Sequence, residues 1–168
     1  HSEVWKHPIL SNFVPPKILQ PRSVRRQAAP DADYGQFANG AMAKQLMDKG
    51  VVVNIGAHGQ REGLGSHWEM WLFAQGGMSA MEALRTATIN PAKYMGFDKD
   101  LGSLEAGKLA DLVIMTENPL DNIRNTDKIS HVMLNGRLYE SATMNEVVTG
   151  SHKSKPFYWH GKPESEIR

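Results

Sequence analysis

The sequence predicts an α/β fold, and three observations predict it. A helical apolar pattern over residues 33–49 stops at Gly50 and runs straight into the β-branched stretch "VVVNI" at 51–55. A glycine-rich loop follows, then two capping-box spacings, Ser66 with Glu69 and Ser79 with Glu82. Further on, Asn135-Gly136 lies between two apolar-rich runs, the sequence of a two-residue type I′ hairpin.

Each element has its local reason. Residues 1–32 form an irregular, Pro-rich lead-in carrying five of the nine prolines, which remove backbone donors and break regular elements. The basic cluster "RSVRR" at 22–26 reads as a solvated loop. Residues 33–97 read as a helix-strand-helix portion. Tyr34, Phe37, Ala38, Ala41 and Met42 fall at helical spacing, and Gly50 is the stop expected just past a last turn. "VVVNI" is apolar on both faces, so it reads as a short buried strand. The first capping box opens a helix from Ser66 through Gln75, ended by Gly76-Gly77. The second opens another, with Met81, Leu84 and Thr88 on one face. Asn90-Pro91 reads as the N-cap and first position of a short helix that Gly96 closes. Residues 98–140 form a small β unit, with one strand at Leu112–Met115 and then the hairpin. Residues 141–168 are a polar tail whose aromatic stretch, "PFYWHG", is expected to pack on the body.

Bulk composition narrows the function classes. The chain has 168 residues, enough for one ordinary domain with a core. It is 40% hydrophobic and 22% charged, which is globular rather than disordered. With 19 basic and 18 acidic residues its formal charge is +1, so neither a nucleic acid nor a membrane surface is expected as partner. No apolar run approaches the roughly 20 residues of a membrane helix. There is no Cys, which excludes disulfides and thiolate-ligated zinc. The chain begins on His1 with no signal-peptide pattern, as expected of a processed or partial chain.

Chemistry concentrates in "NIGAHGQREGLGSHWEM", residues 54–70. In α/β folds, ligand sites gather in loops leaving the carboxyl ends of strands. His58 stands three positions after Ile55, where it can project from a strand end as an acid, a base or a metal ligand. A packed or hydrogen-bonded histidine is the competing reading. His67, in the first helical turn, is either a neighbour of the cap or a substrate contact. Glu69 either completes the capping box or lines the site. Arg61 can pair with a substrate carboxylate in a bidentate way. Trp68, Trp71 and Phe73 read as core, and His131 as structural. No His-x-His, His-Glu-x-x-His or P-loop is present. A catalytic zinc draws about three protein ligands, more than this loop offers.

The run "GGMSAMEALRTATINPAKYMGFDKDLGSLEAGKLADLVIMTENPL", followed by "VMLNGRLY", closely resembles the C-terminal part of metal-dependent amidohydrolases. The resemblance spans about residues 34–140 and is nearest the imidazolonepropionase and Xaa-Pro dipeptidase-like branch. "GAHGQREGLGSHWEMW" resembles the members fused to a TolB-type β-propeller, which implies a periplasmic or secreted protein. The implied fold is the C-terminal fragment of a (β/α)8 metal-dependent hydrolase barrel plus part of a small composite β-sandwich. By that resemblance "VVVNI" is the eighth barrel strand, 66–95 hold the closing helices and 98–140 are a share of the sandwich. Gly107, Lys108, Ala110 and Asp111 match a turn that holds a sandwich strand.

The resemblance also implies a divalent metal, zinc by expectation, whose other ligands lie N-terminal to this chain. The family's eighth strand ends in glycine, threonine or serine, and an aspartate that binds metal and takes a proton from water. Here Gly56-Ala57-His58 puts a histidine at that place. An imidazole can bind metal or act as base, but it brings no negative charge and a different reach. His58 is thus the candidate catalytic residue and metal ligand, and Arg61, His67 and Glu69 are the candidate substrate contacts.

Three functions compete. The first is the C-terminal piece of a hydrolase acting on a small amide, cyclic amide or peptide-like substrate with metal-activated water, inactive alone. The second is a non-catalytic subunit or binding module that packs on a partner chain. The third is a pseudo-enzyme in which His58 marks lost catalysis. A truncated barrel leaves an apolar face uncovered, so either the remainder of the barrel or a homo-oligomer partner is expected.

Overall fold

Glycines and prolines punctuate the chain into short helices followed by a small sheet. The structure, a computed structural model, describes residues 6–23, 30, 33–58 and 63–162. Among the described residues six α-helices come first: α1 (Leu10–Phe13), α2 (Pro16–Ser23), α3 (Gly35–Asp48), α4 (Leu64–Gln75), α5 (Ala80–Arg85) and α6 (Ile89–Met95). Strand β1 (Leu112–Met115), a 3-10 helix (Ile123–Asp127), β2 (Ile129–Leu134) and β3 (Arg137–Glu140) complete the order.

The lead-in is more regular than its prolines suggest. Pro16 opens α2 at the position where a missing N–H costs nothing, and the Pro15 carbonyl accepts from Ile18 and Leu19. Leu10, Val14 and Leu19 bury against Leu64, with Trp68 packed on the cluster. Fully burying such a side chain stabilises by about 1.5–3 kcal/mol. Of the basic run at 22–26, residues 24–26 lie outside the described residues.

Glycine ends α3 and α6 as expected, with Gly50 at φ 86° and Gly96 at φ 79°, in the left-handed region. The Ser79–Glu82 capping box forms in both directions. The other box does not. Helix α4 begins at Leu64, two residues early, with Gly63 at φ 85° as its cap. Ser66 therefore sits inside the first turn, where no capping geometry exists. Asn90-Pro91 also shifts. Thr88 occupies the N-cap position of α6 without a side-chain cap bond, so Asn90 lies within the helix and its side chain is free to reach elsewhere.

The expected buried strand at 51–55 is the main correction. Residues 51–57 carry no regular element, and Val51 and Val52 are about half exposed, at 48% and 57%. A strand exists only through ladder bonds to a neighbour, and among the described residues none pairs with this stretch. Helix α3 likewise exposes Phe37, Met42 and Leu46.

The β unit forms as predicted, a three-stranded antiparallel sheet in the order β1-β2-β3. Val113 faces Val132, and Val132 faces Tyr139, with an irregularity at Ile114/Met115. Asn135 (φ 48°) and Gly136 (φ 77°) make the hairpin turn, whose left-handed torsions explain the Asn-Gly pair. Asp111, just before β1, accepts the Asn135 N–H at 2.6 Å and so ties that strand's start to the β2–β3 turn. The tail packs back on the lead-in: Phe157 meets Phe13 edge-on at 5.8 Å, and His160 Nε2 donates to the Asn12 carbonyl at 3.0 Å.

Candidate functional site

Three hydrogen bonds from the helices substitute for a ladder along 53–56. Asn90 Nδ2 donates to the Val53 carbonyl at 3.0 Å. Ile55 N–H donates to the Thr86 carbonyl at 3.0 Å, and Thr86 is fully buried. Gly56 N–H donates to Glu69 Oε2 at 2.5 Å. Among the described residues, the chain is thus tied down to Gly56 and released just before His58.

His58 stands exposed at that release point with φ 55°. A non-glycine residue held there costs about 1–2 kcal/mol in backbone strain. Among the described residues its imidazole has no hydrogen-bond partner. Arg61 lies outside the described residues.

Helix α4 separates the other two predicted contacts. Glu69 turns to the 53–56 stretch. His67, two positions and about 200° away around the helix, belongs to the same face as Trp71, toward the 3-10 helix. There Trp71 Nε1 donates to Thr126 Oγ1 at 2.9 Å, and the Arg124 guanidinium lies 5.1 Å from the Trp71 ring. His67 Nδ1 is buried with no hydrogen bond among the described residues. Burial pushes the His67 pKa below its ordinary value, the Asp127 charge opposes this, and His7 reinforces it. Asp127 and His7, like Asn90 and Thr86, escaped the sequence reading. Asn90 had a signal, but it resembled a cap.

A cavity of about 660 Å³ opens between α5, α6 and the 98–108 loop, lined by Arg85, Lys93, Lys99 and Lys108 among others. Its best-buried cation, Lys108, is satisfied by the Asp98 carbonyl and Ser103 Oγ, each at 2.5 Å, and by Glu105 at 3.4 Å. Among the described residues, none of the cavity's lining comes from the stretch that carries His58.

A metal ion needs about three or four donor side chains converging on one point. Among the described residues no group of three or more His, Asp or Glu side chains is placed to hold a metal ion. His58 is a single exposed imidazole. The described residues do not make up a metal centre by themselves.

The described residues combine short helices with a small antiparallel sheet, and the comparisons with known proteins place such a chain in the TIM-barrel superfamily. The family model described as "Amidohydrolase family" matches residues 39–139, and the chain belongs to that family. It is 33% identical to an imidazolonepropionase of Thermoplasma acidophilum over 84 residues, 48% of this chain and 20% of that enzyme. It is 30% identical over 113 residues to a 5-methylthioadenosine/S-adenosylhomocysteine deaminase of Moorella thermoacetica, 58% of this chain and 26% of the other. Among solved structures, a Xaa-Pro dipeptidase with bound methionine in its active site superposes with a TM-score of 0.55 at 29% identity. That match covers 82% of this chain and 32% of the dipeptidase. The chain therefore spans a third or less of each of these relatives.

Proposed function

We propose that this chain is the C-terminal portion of a hydrolase that cleaves a C–N bond, in an amide, a cyclic amide or a dipeptide, and that His58 is its working residue in the site. The observation that carries the reading is the release point: three hydrogen bonds fix the backbone up to Gly56, and His58 emerges exposed just beyond. In the family pattern an aspartate at this place accepts a proton. A neutral imidazole suits the same task near pH 7, taking the proton at a ring nitrogen. The metal-holding side chains come, on this reading, from the rest of the barrel. That remainder covers Phe37, Met42, Leu46, Val51 and Val52, which this chain leaves exposed. The β1–β3 sheet is then one share of a sandwich completed by other strands.

The test uses the full-length protein with a panel of amides, cyclic amides and Xaa-Pro dipeptides. His58→Ala is expected to lower kcat/KM by about 100-fold or more on whichever class is cleaved. Unchanged turnover in that variant overturns the role of His58, and no hydrolysis of any panel member by the intact protein overturns the reaction class. The exposed apolar side chains also suit a second reading, a non-catalytic subunit seated on a partner chain. Stable association with such a partner, without hydrolysis, is its signature.

A further inference from the structure

Glu69 has lost the role its spacing suggested. The helix starts too early for it to complete a capping box with Ser66. Its carboxylate instead reaches 13 positions back along the chain to the Gly56 N–H. We propose that Glu69 is a positioning residue: its bond to Gly56 sets where the His58 imidazole stands. This rests on the reading of His58 as a site residue.

The geometry supports the role in three ways. Among the described residues, Gly56 is the last backbone group tied down before His58, with Ala57 alone between them. The acceptor is a side-chain oxygen at the end of a glutamate-length arm, the length needed to reach the amide from α4. The glycine is also not there for its own conformation: its φ is outside the left-handed region, and an added Cβ would meet nothing within 4 Å. The placement of 56 is thus set by what bonds to it. His58, with its left-handed φ, then depends on a fixed start to its loop.

A residue that acts by holding an amide is rescued by any acceptor of the same length. In the full-length protein, Glu69→Gln is expected to keep kcat within about threefold of wild type. Glu69→Ala, and Glu69→Asp, which keeps the charge but is one methylene short, are expected to lower kcat about tenfold or more, with KM within about twofold. Amide hydrogen exchange, read by mass spectrometry on peptides spanning 54–58, is expected to follow the same order: slow in wild type and Gln, faster in Ala and Asp. Glutamine as damaging as alanine, with a raised KM, would mean that the charge contacts substrate and overturns the proposal. So does unchanged exchange in Glu69→Ala. If His58→Ala collapses turnover while Glu69→Ala does not, this inference alone falls. If His58→Ala leaves turnover intact, the His58 reading falls and takes the positioning role with it, whatever the exchange shows.

Discussion

Gly40 of α3 and Gly76 at the end of α4 meet backbone to backbone. A Cβ placed on Gly76 would lie 2.1 Å from the Gly40 carbonyl carbon and 2.3 Å from its oxygen, closer than real atoms approach. Gly76 has φ −78°, a torsion any residue adopts, so space and not conformation demands the glycine. Gly76→Ala must push the helices apart and is expected to cost about 1–3 kcal/mol. Gly50→Ala has open space but must adopt φ 86°, so its cost, about 1 kcal/mol, is conformational. Thermal unfolding of the two variants checks both values. Only Gly76→Ala should also loosen the α3–α4 contact in hydrogen exchange.

The link between α4 and the 3-10 helix runs through one polar bond. Thr126 is fully buried, and its hydroxyl accepts from Trp71 Nε1. Trp71→Phe keeps most of the ring but leaves that oxygen unpaired, and it weakens the contact with Arg124. A loss of about 1–2 kcal/mol is expected. Thr126→Val in the same background should recover part of it, because no buried oxygen is then orphaned. A double-mutant cycle by denaturant unfolding measures the coupling.

Glu146 pins the start of the tail. The Thr149 hydroxyl and N–H and the Ser151 N–H all donate to its buried carboxylate. These bonds, the Thr149 hydroxyl foremost, hold its pKa down to about 2 against an ordinary 4.5. A depressed carboxylate stabilises the fold above the unfolded value and stops doing so as pH falls through the folded one. The turn at 146–151 is therefore expected to lose protection progressively between about pH 4.5 and pH 2. In Glu146→Gln that pH dependence should vanish. Exchange at the Thr149 and Ser151 amides checks it.

His67 works with the opposite charge. Burial lowers its pKa below 6.5, so the unfolded chain takes the proton first as pH falls. Stability is full above 6.5 and declines as pH drops below it toward the folded value. His7, also lowered chiefly by burial, adds to the same slope. Tm is expected to fall between pH 7.5 and 5.5, and His67→Gln should flatten that dependence. An equal slope in both proteins would remove His67 from the account.

Local signals were legible where the partner lies within about four residues and no distant group competes for it. Gly50 and Gly96 ended their helices, Ser79 and Glu82 capped each other, and Asn135-Gly136 turned the hairpin. The same reasoning failed at Ser66 and at Asn90, where a competing partner elsewhere in the fold took the side chain or moved the helix start. The loop carrying His58 was recognisable from its glycines and its place after an apolar run. That His67 and Glu69 turn to different sides of α4 was not, because both positions fit one short pattern.

Backbone torsion preferences and contacts within a turn belong to the chain itself, and they decided where helices stop, which box closes and where the sheet folds back. Which distant atoms satisfy each polar group depends on the path between them, and the fold alone decided that. Glu69 finds Gly56 across 13 residues, Asn90 finds Val53 across 37, Trp71 finds Thr126 across 55 and His160 finds Asn12 across 148. A residue's type says what bond it can make. Only packing brings the partner within reach, and at 53–56 that packing turned an apolar run into the tethered base of an exposed histidine.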